Sequence, residues 1–386
     1  MQDSNVKCNN TPSSSTSSKV APARRIDIVI LGAGIIGLST AFYLLHSSCP
    51  DCIVHVTILD SSPDLFACAS GRAGGFLAKD WFAPASAALG ELSFRLHREL
   101  ADAYDGSTRW GYARSASFNL ARRKRSNETT GSEQRISRRG EDWLRYGASR
   151  VGAAASGNGG DGAQRGLIAP TWLASGGCEQ DVELSSTSET TAQVDPQELC
   201  EFLLGKIERQ GAVVRHPVTP LRVRRTAAGE LEGLVFADGG GEETIVLRSP
   251  SHGPQSSSNE GITPDCRAVF ASIDGLSWCP EVFSRLNGEL YLAGLNSSTI
   301  PLPDVATEVK VRDDDIGDLV SLANDLIKHS DGIETAVVRA ALCHRPVTPT
   351  GHGPWGISLS LGSGKVMAEM MTGRTTSVDV SGLGLQ

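Results

Sequence analysis

The segment IDIVILGAGIIGLSTAFYLLH (residues 26–46) decides the fold. Residues 26–31 form an aliphatic, mostly β-branched run broken only by Asp27, the composition of a strand in a parallel sheet. The hexapeptide Gly32-Ala33-Gly34-Ile35-Ile36-Gly37 follows, and residues 35–46 have the length and composition of a helix. Strand, tight turn and helix in that order predict a dinucleotide fingerprint. Gly32 permits the turn, Gly34 lets the backbone approach a pyrophosphate, and Gly37 allows the helix to pack closely on the strand. Ile35 and Ile36 open that helix, so their N–H groups lie at the positive end of its dipole. A second β-rich run, IVHVTILD (53–60), completes a βαβ unit and ends in Asp60 with Ser61 beside it, 23 residues after Gly37. A carboxylate there accepts from ribose hydroxyls and repels a 2′-phosphate, which leaves FAD and NAD open.

Soon after comes ASGRAGG (69–75), a second glycine-rich stretch. Ser70, Gly71, Ala73, Gly74 and Gly75 can bring donors to a ribityl chain or a flavin ring, although by composition they also suit an ordinary turn. Residues 84–104 read as a long helix with Leu89, Leu92, Leu96 and Leu100 facing a core. In TAQVDPQEL (191–199), Asp195 suits a cap and Pro196 a first turn, so a helix to about residue 210 is expected. Residues 211–218, 221–225, 231–237 and 289–295 read as strands, and 364–371 as a helix. The polar stretches 122–140 and 147–166 read as solvated insertions, RRKR (122–125) included, and 249–265 as a loop-like gap.

With 386 residues and 40% hydrophobic content, the chain can build more than one core, and two domains are expected. A net charge of -8 argues against nucleic-acid binding, which favours a basic face. No apolar run reaches the roughly 18–20 residues that span a bilayer. Residues 1–25, rich in Ser, Thr, Asn and Pro, read as a disordered tail without a secretory signal. The nine cysteines are scattered, as expected of reduced thiols in a cytoplasmic protein, with peripheral endosomal association left open. Cys49 and Cys52 make a lone CxxC that reads as a loop feature, so no metal is expected.

ASGRAGGFLA (69–78) resembles the flavin-contacting loop of the D-amino-acid oxidase, glycine oxidase and sarcosine oxidase superfamily, most closely its fungal FAD-dependent oxidoreductase branch. TAQVDP, the helix after it and GAVV resemble the segment leading to an adenine-contacting valine, here Val218. GHGPWGI (351–357) followed by GSGK (362–365) resembles the closing motif, where backbone at Trp355, Gly356 and Ile357 runs along the flavin and a helix N-terminus faces its pyrimidine end. The resemblance covers about 26–120, 191–237 and 278–386. It implies FAD as cofactor and an α/β, Rossmann-like FAD-binding domain (26–104, 192–250, 343–386) with an inserted antiparallel α+β substrate domain (105–191, 266–342). It also implies oxidation of a C–N bond in a small amine or amino acid by hydride transfer to flavin, with oxygen as acceptor. On the same resemblance Arg345 faces the substrate, where a guanidinium can grip a carboxylate at two points. Cys343 stands where sarcosine oxidases attach flavin covalently. His352 is open between an acid-base role and a hydrogen-bonded structural one.

Two departures stand out. After Leu247 the family's closing strand and Ala-Gly-Pro-Trp-like turn give way to SPSHGPQSSSNEG, and about twenty residues are missing ahead of Gly351. They keep alive a second reading, a flavin-binding or degenerate non-catalytic protein acting by interaction.

Overall fold

Strand β1 (Arg24–Leu31) pairs in parallel with β2 (Cys52–Leu59), in register from Arg24↔Cys52 to Leu31↔Leu59, and α1 (Ile35–His46) makes the crossover. In this computed structural model the described residues are 24–46, 52–123, 169–174, 179–225, 227, 231–237, 242–244, 266–276, 278–295, 300–328, 336–342, 344 and 352–383. The expected tail lies outside them except for Arg24 and Arg25, which β1 recruits. Cys49 also lies outside them.

β8 (Val213–Arg215) adds to β2, again in parallel, giving the order β1-β2-β8. The outer edge of β1 pairs with no strand among the described residues. Val29 and Leu31 are correspondingly 37% and 57% exposed, unusual for a parallel strand. The segments flagged for missing strands, after Leu247 and just ahead of Gly351, both lie outside the described residues.

Downstream come the helical turn α2 (Ala69–Arg72), β3 (Phe76–Ala78), the long α3 (Pro84–Tyr104), the short α4 (Gly106–Trp110) and β4 (Ala113–Arg114). β3 and β4 flank β7 (Thr191–Gln193) in a small antiparallel sheet. Helix α5 (Pro196–Arg209) starts as expected: Asp195 Oδ1 accepts from the N–H groups of Gln197 and Glu198 at 2.9 and 3.1 Å. A meander of β9 (Thr219–Arg225), β10 (Leu231–Ala237) and β11 (Glu242–Thr244) packs Phe236 against Leu59 and Val218.

The remaining sheet contains β5 (Ala116–Arg123), β6 (Glu179–Ser186), β12 (Arg267–Ile273), β13 (Glu281–Ser284) and β14 (Leu290–Ala293), ordered β14-β13-β12-β5-β6. Its β12–β5 pairing is parallel, so the expected antiparallel sheet is mixed. Those two strands come from separate excursions of the chain and cannot be joined by a hairpin. Helix α6 (Asp313–Leu326) lays Leu322 and Leu326 on this sheet.

Two expectations need correction. Arg122 is not part of a solvated loop: it is buried at the end of β5, donating to Gln180 Oε1, the Asp325 carbonyl and the Ala174 carbonyl at 3.1, 3.0 and 2.7 Å. Its fork fastens β5 to β6 and to the end of α6. The final helix, α7, spans Gly356–Met371 and so begins eight residues before the expected 364. It is apolar almost all round, which removes the periodicity that marks a start, and its glycines look like breaks. They are contact points instead. A Cβ on Gly364 would lie 2.5 Å from the Ser39 backbone of α1, and one on Gly362 would lie 2.9 Å from Ser93 Cβ of α3.

Candidate functional site

The turn from β1 into α1 forms a cradle of backbone donors. Gly32 adopts φ +100° and donates its N–H to the Leu59 carbonyl at 2.7 Å, which locks the turn to β2. A Cβ on Gly37 would fall 2.2 Å from the Gly32 carbonyl oxygen, so this helix–turn contact requires glycine. Asp60 enters from the end of β2: its Oδ2 accepts from the Ala33 N–H at 2.7 Å and its Oδ1 from the Ser62 N–H at 2.8 Å. Each oxygen keeps a lone pair for a hydroxyl donor. The Gly34 and Ile36 N–H groups meet no acceptor among the described residues. They stand at the positive end of a 12-residue helix.

Ser70 comes to the same point from α2. Its Oγ accepts from the Ile35 N–H at 2.9 Å, and its own O–H meets no acceptor among the described residues. Ser61 is exposed beside Asp60. Val218 donates its N–H to the Asp60 carbonyl at 2.7 Å, but its side chain is buried against Leu59 and Phe236. What Val218 can offer a ligand is therefore backbone.

The second glycine-rich stretch contains the helical turn α2, held by the Ala73 N–H donating to the Ala69 carbonyl at 3.0 Å. A Cβ on Gly71 would sit 2.3 Å from the Phe66 carbonyl oxygen. Gly74 is wedged against the rings of Phe283 and Tyr291, where a Cβ would come within 2.7 and 2.9 Å. Gly75 has φ +80°, and its carbonyl accepts from the Val194 N–H at 3.0 Å. Both glycines are buried, yet their N–H groups find no acceptor among the described residues. Buried backbone donors are nearly always paired, so these two N–H groups are available to an acceptor from outside the described residues.

The closing motif reaches this loop through Ser358, in the first turn of α7. Ser358 Oγ accepts from the Ala78 N–H at 3.0 Å and donates to the Ala78 carbonyl at 3.3 Å, stapling α7 to β3. Gly356 is helical, and the nearest atom to a Cβ there would be His352 Cβ at 3.9 Å, so protein packing does not demand glycine. Trp355 is buried edge-to-face with Trp81 and Phe82. Ile357 is buried, and its carbonyl accepts from His97 Nε2 at 3.0 Å and Ser360 Oγ at 2.8 Å. Complete burial pushes the His97 pKa down to about 4, so this imidazole is neutral. His352 is half-buried, with Nε2 2.8 Å from Ser363 Oγ, and burial lowers its pKa as well.

The fingerprint glycines, Asp60 and Ser70 are thus brought together, and Ser358, next to Trp355, Gly356 and Ile357, ties the start of α7 to β3, the strand that follows the second loop. Arg345 and Cys343 lie outside the described residues. Ser358, His97 and the Asp195–Arg285 pair were not singled out as site residues in the sequence. A lone serine inside an apolar helix carries no pattern, and of these only Asp195 left a signal, as a cap. Among the described residues no helix is long and apolar enough to cross a membrane, and no cluster of His, Cys, Asp or Glu could hold a metal ion.

Comparison with known proteins bears on the family and the fold. The family described as FAD dependent oxidoreductase matches residues 27–370. A Schizosaccharomyces pombe protein with an oxidoreductase designation is 26% identical over 409 residues, covering 92% of this chain and 96% of its own. Glycine oxidase of Bacillus cereus has a similar fold, with a TM-score of 0.52 at 14% identity over 90% of this chain and 95% of that one. NikD, an amino acid oxidase essential for nikkomycin biosynthesis, reaches 0.55 at 15% identity over 94% and 98%. These structural likenesses are of fold, a Rossmann-like FAD-binding unit with an added sheet.

Proposed function

The chain belongs to the FAD-dependent oxidoreductase family, and on that premise we propose that it oxidises a C–N bond of a small amine or amino acid, with oxygen as acceptor. The residues present fit FAD: a glycine cradle, a facing carboxylate and a second, buried loop whose Gly74 and Gly75 N–H groups meet no acceptor among the described residues. When bound, FAD supplies the acceptor for the hydride that leaves the carbon beside nitrogen.

The observation that carries the reading is the convergence of two separate loops on one helix N-terminus through Ile35 and Ser70. In this account the N–H groups of Gly34 and Ile36 and the Ser70 hydroxyl hold the pyrophosphate. Asp60 accepts from the ribose, with Ser61 and the Val218 backbone toward the adenine end. Gly71, Ala73, Gly74 and Gly75, together with Trp355, Gly356 and Ile357, are the residues that would hold the flavin ring. The N-terminus of α7 favours negative charge near the ring, and His97 braces that terminus without adding a charge of its own.

Arg345 grips the substrate carboxylate, and the imine product is hydrolysed by water. His352, whose Nε2 is engaged by Ser363 Oγ, is the candidate acid or base. A thioether at Cys343 is the covalent alternative to simple FAD retention. The nucleotide unit takes 26–104, 192–250 and 343–386, the substrate unit takes 105–191 and 266–342, and the site of action is the cytoplasm.

One observation favours the rival reading, a flavin-binding protein that acts by interaction: among the described residues no strand pairs with the outer edge of β1, and Leu31 there is 57% exposed. The experiment that separates them is a peroxide assay of FAD-loaded protein over a panel of amines and amino acids. Turnover of any of them supports oxidation. Full FAD loading without turnover of any substrate, under oxygen or with an artificial acceptor, supports the rival.

A further inference from the structure

Arg285, the residue after β13, turns inward and is only 8% exposed at its side chain. Its Nη1 donates to Asp195 Oδ2 at 3.0 Å and to the Val194 carbonyl at 3.1 Å, and its Nη2 donates to the Gly74 carbonyl at 3.2 Å. The guanidinium lies 5.7 Å from the centre of the Tyr291 ring. A buried guanidinium is costly unless its donors are met, and here three acceptors from two chain segments meet it. Two of them belong to the start of α5, where Asp195 also caps the helix through its other oxygen. A clamp between the β13–β14 hairpin and α5 would need no more than these.

The third acceptor, the Gly74 carbonyl, has a different consequence. In a trans peptide the carbonyl of one residue and the N–H of the next point in opposite directions. Holding the Gly74 oxygen toward Arg285 therefore turns the Gly75 N–H away from the hairpin. That N–H is one of the two, with that of Gly74, in this buried stretch that meet no acceptor among the described residues. The loop cannot slide to another orientation, because Phe283 and Tyr291 fill the space beside Gly74 and the Val194 carbonyl oxygen stands where a Gly75 Cβ would be, 2.0 Å away.

We propose that Arg285 is a positioning residue, which by gripping the Gly74 carbonyl aims the Gly75 N–H as a hydrogen-bond donor to the flavin ring. The proposal rests on the reading that residues 69–75 face FAD. Arg285 touches neither substrate nor cofactor. Its effect is on the electronic state of the bound ring, because a fixed donor stabilises the charge gained on reduction.

The test uses full-length, FAD-loaded protein and the variants Arg285→Lys and Asp195→Asn. Lysine keeps the cation beside Asp195 but cannot span the three acceptors. Asparagine keeps an oxygen for the helix cap while weakening the hold on Arg285. Both should still bind FAD through the untouched glycine cradle. Both should also show an altered visible flavin band and a lower reduction potential, equivalent to an about tenfold loss of preference for reduced over oxidised FAD, the scale of one hydrogen bond. A clamp of merely structural value would lower the melting temperature and leave spectrum and potential unmoved, which overturns the proposal while FAD binding stands. If Arg285→Lys does not fold, Asp195→Asn carries the same comparison. Wild-type protein that binds no FAD overturns the underlying reading, and the proposal falls with it.

Discussion

The Ile35 N–H donates to Ser70 Oγ across 2.9 Å, joining two glycine-rich segments that lie 35 residues apart in sequence. The bond satisfies one of the free donors at the start of α1 and leaves the serine hydroxyl hydrogen available. Ser70→Ala removes both functions at once. FAD affinity should fall about ten- to hundredfold, the loss expected for a hydrogen bond to a charged group. Fluorescence titration of apoprotein with FAD measures it, and unchanged affinity would remove Ser70 from the site.

Gly364→Val should weaken the fold where α1 and α7 pack together. The first carbon alone would stand 2.5 Å from the backbone of Ser39, so α1 and α7 must part. Overpacking of this kind costs about 1–3 kcal/mol. In a protein of this size that lowers Tm by several degrees, on the order of 2–4 °C per kcal/mol. Calorimetry on the variant checks it, and an unchanged Tm would mean the helices are not held this close.

His97 predicts a pH dependence of stability. Its pKa falls from 6.5 to about 4 on folding because burial disfavours the charged ring. The unfolded chain therefore binds more protons than the folded one between those values, and stability rises with pH across that window. This contribution is fully present above about 6.5 and is lost as pH falls toward 4, by on the order of 3 kcal/mol. Denaturant titrations of wild type and His97→Gln at pH 4.5 and 7 compare the two. The variant should lose less stability on acidification, and equal losses would contradict the burial of a neutral ring.

Arg345→Lys should raise KM for amino-acid substrates and leave FAD content alone, because lysine keeps the charge but loses the two-point grip. A fall of roughly ten- to hundredfold in kcat/KM is the scale of a lost charge-assisted fork. Decarboxylated amines should be unaffected. Steady-state kinetics on matched pairs decides it, and equal constants for both proteins on every carboxylate would move the substrate anchor elsewhere.

The parts of the site legible in sequence are those where a backbone rule demands a residue type. Gly32 needs a positive φ, Gly37 needs contact with the Gly32 carbonyl, and Asp195 needs a short oxygen at a helix start. The start of α7 was not legible, since a helix buried on all sides has no polar face to give it a period. Arg122 was misread because a polar run looks solvated wherever its neighbours do, while its three acceptors come from Gln180, Asp325 and Ala174, far away in sequence. Arg285 is illegible for the same reason: its partners, Gly74, Val194 and Asp195, meet only in the folded chain. The parallel β12–β5 pairing likewise belongs to topology, which strand patterning does not specify.

The central claim is that the cradle at residues 32–37, with Asp60 and Ser70, holds FAD. The most direct measurement is the FAD content of purified, FAD-reconstituted wild type beside Gly34→Val, read from the visible spectrum and from cofactor released on denaturation. A valine at this position meets Ser70 Oγ 2.9 Å from its first carbon and fills the path to the pyrophosphate. The account predicts stoichiometric FAD in wild type and none in a folded Gly34→Val. Equal flavin in both, or none in a folded wild type after reconstitution, would contradict it.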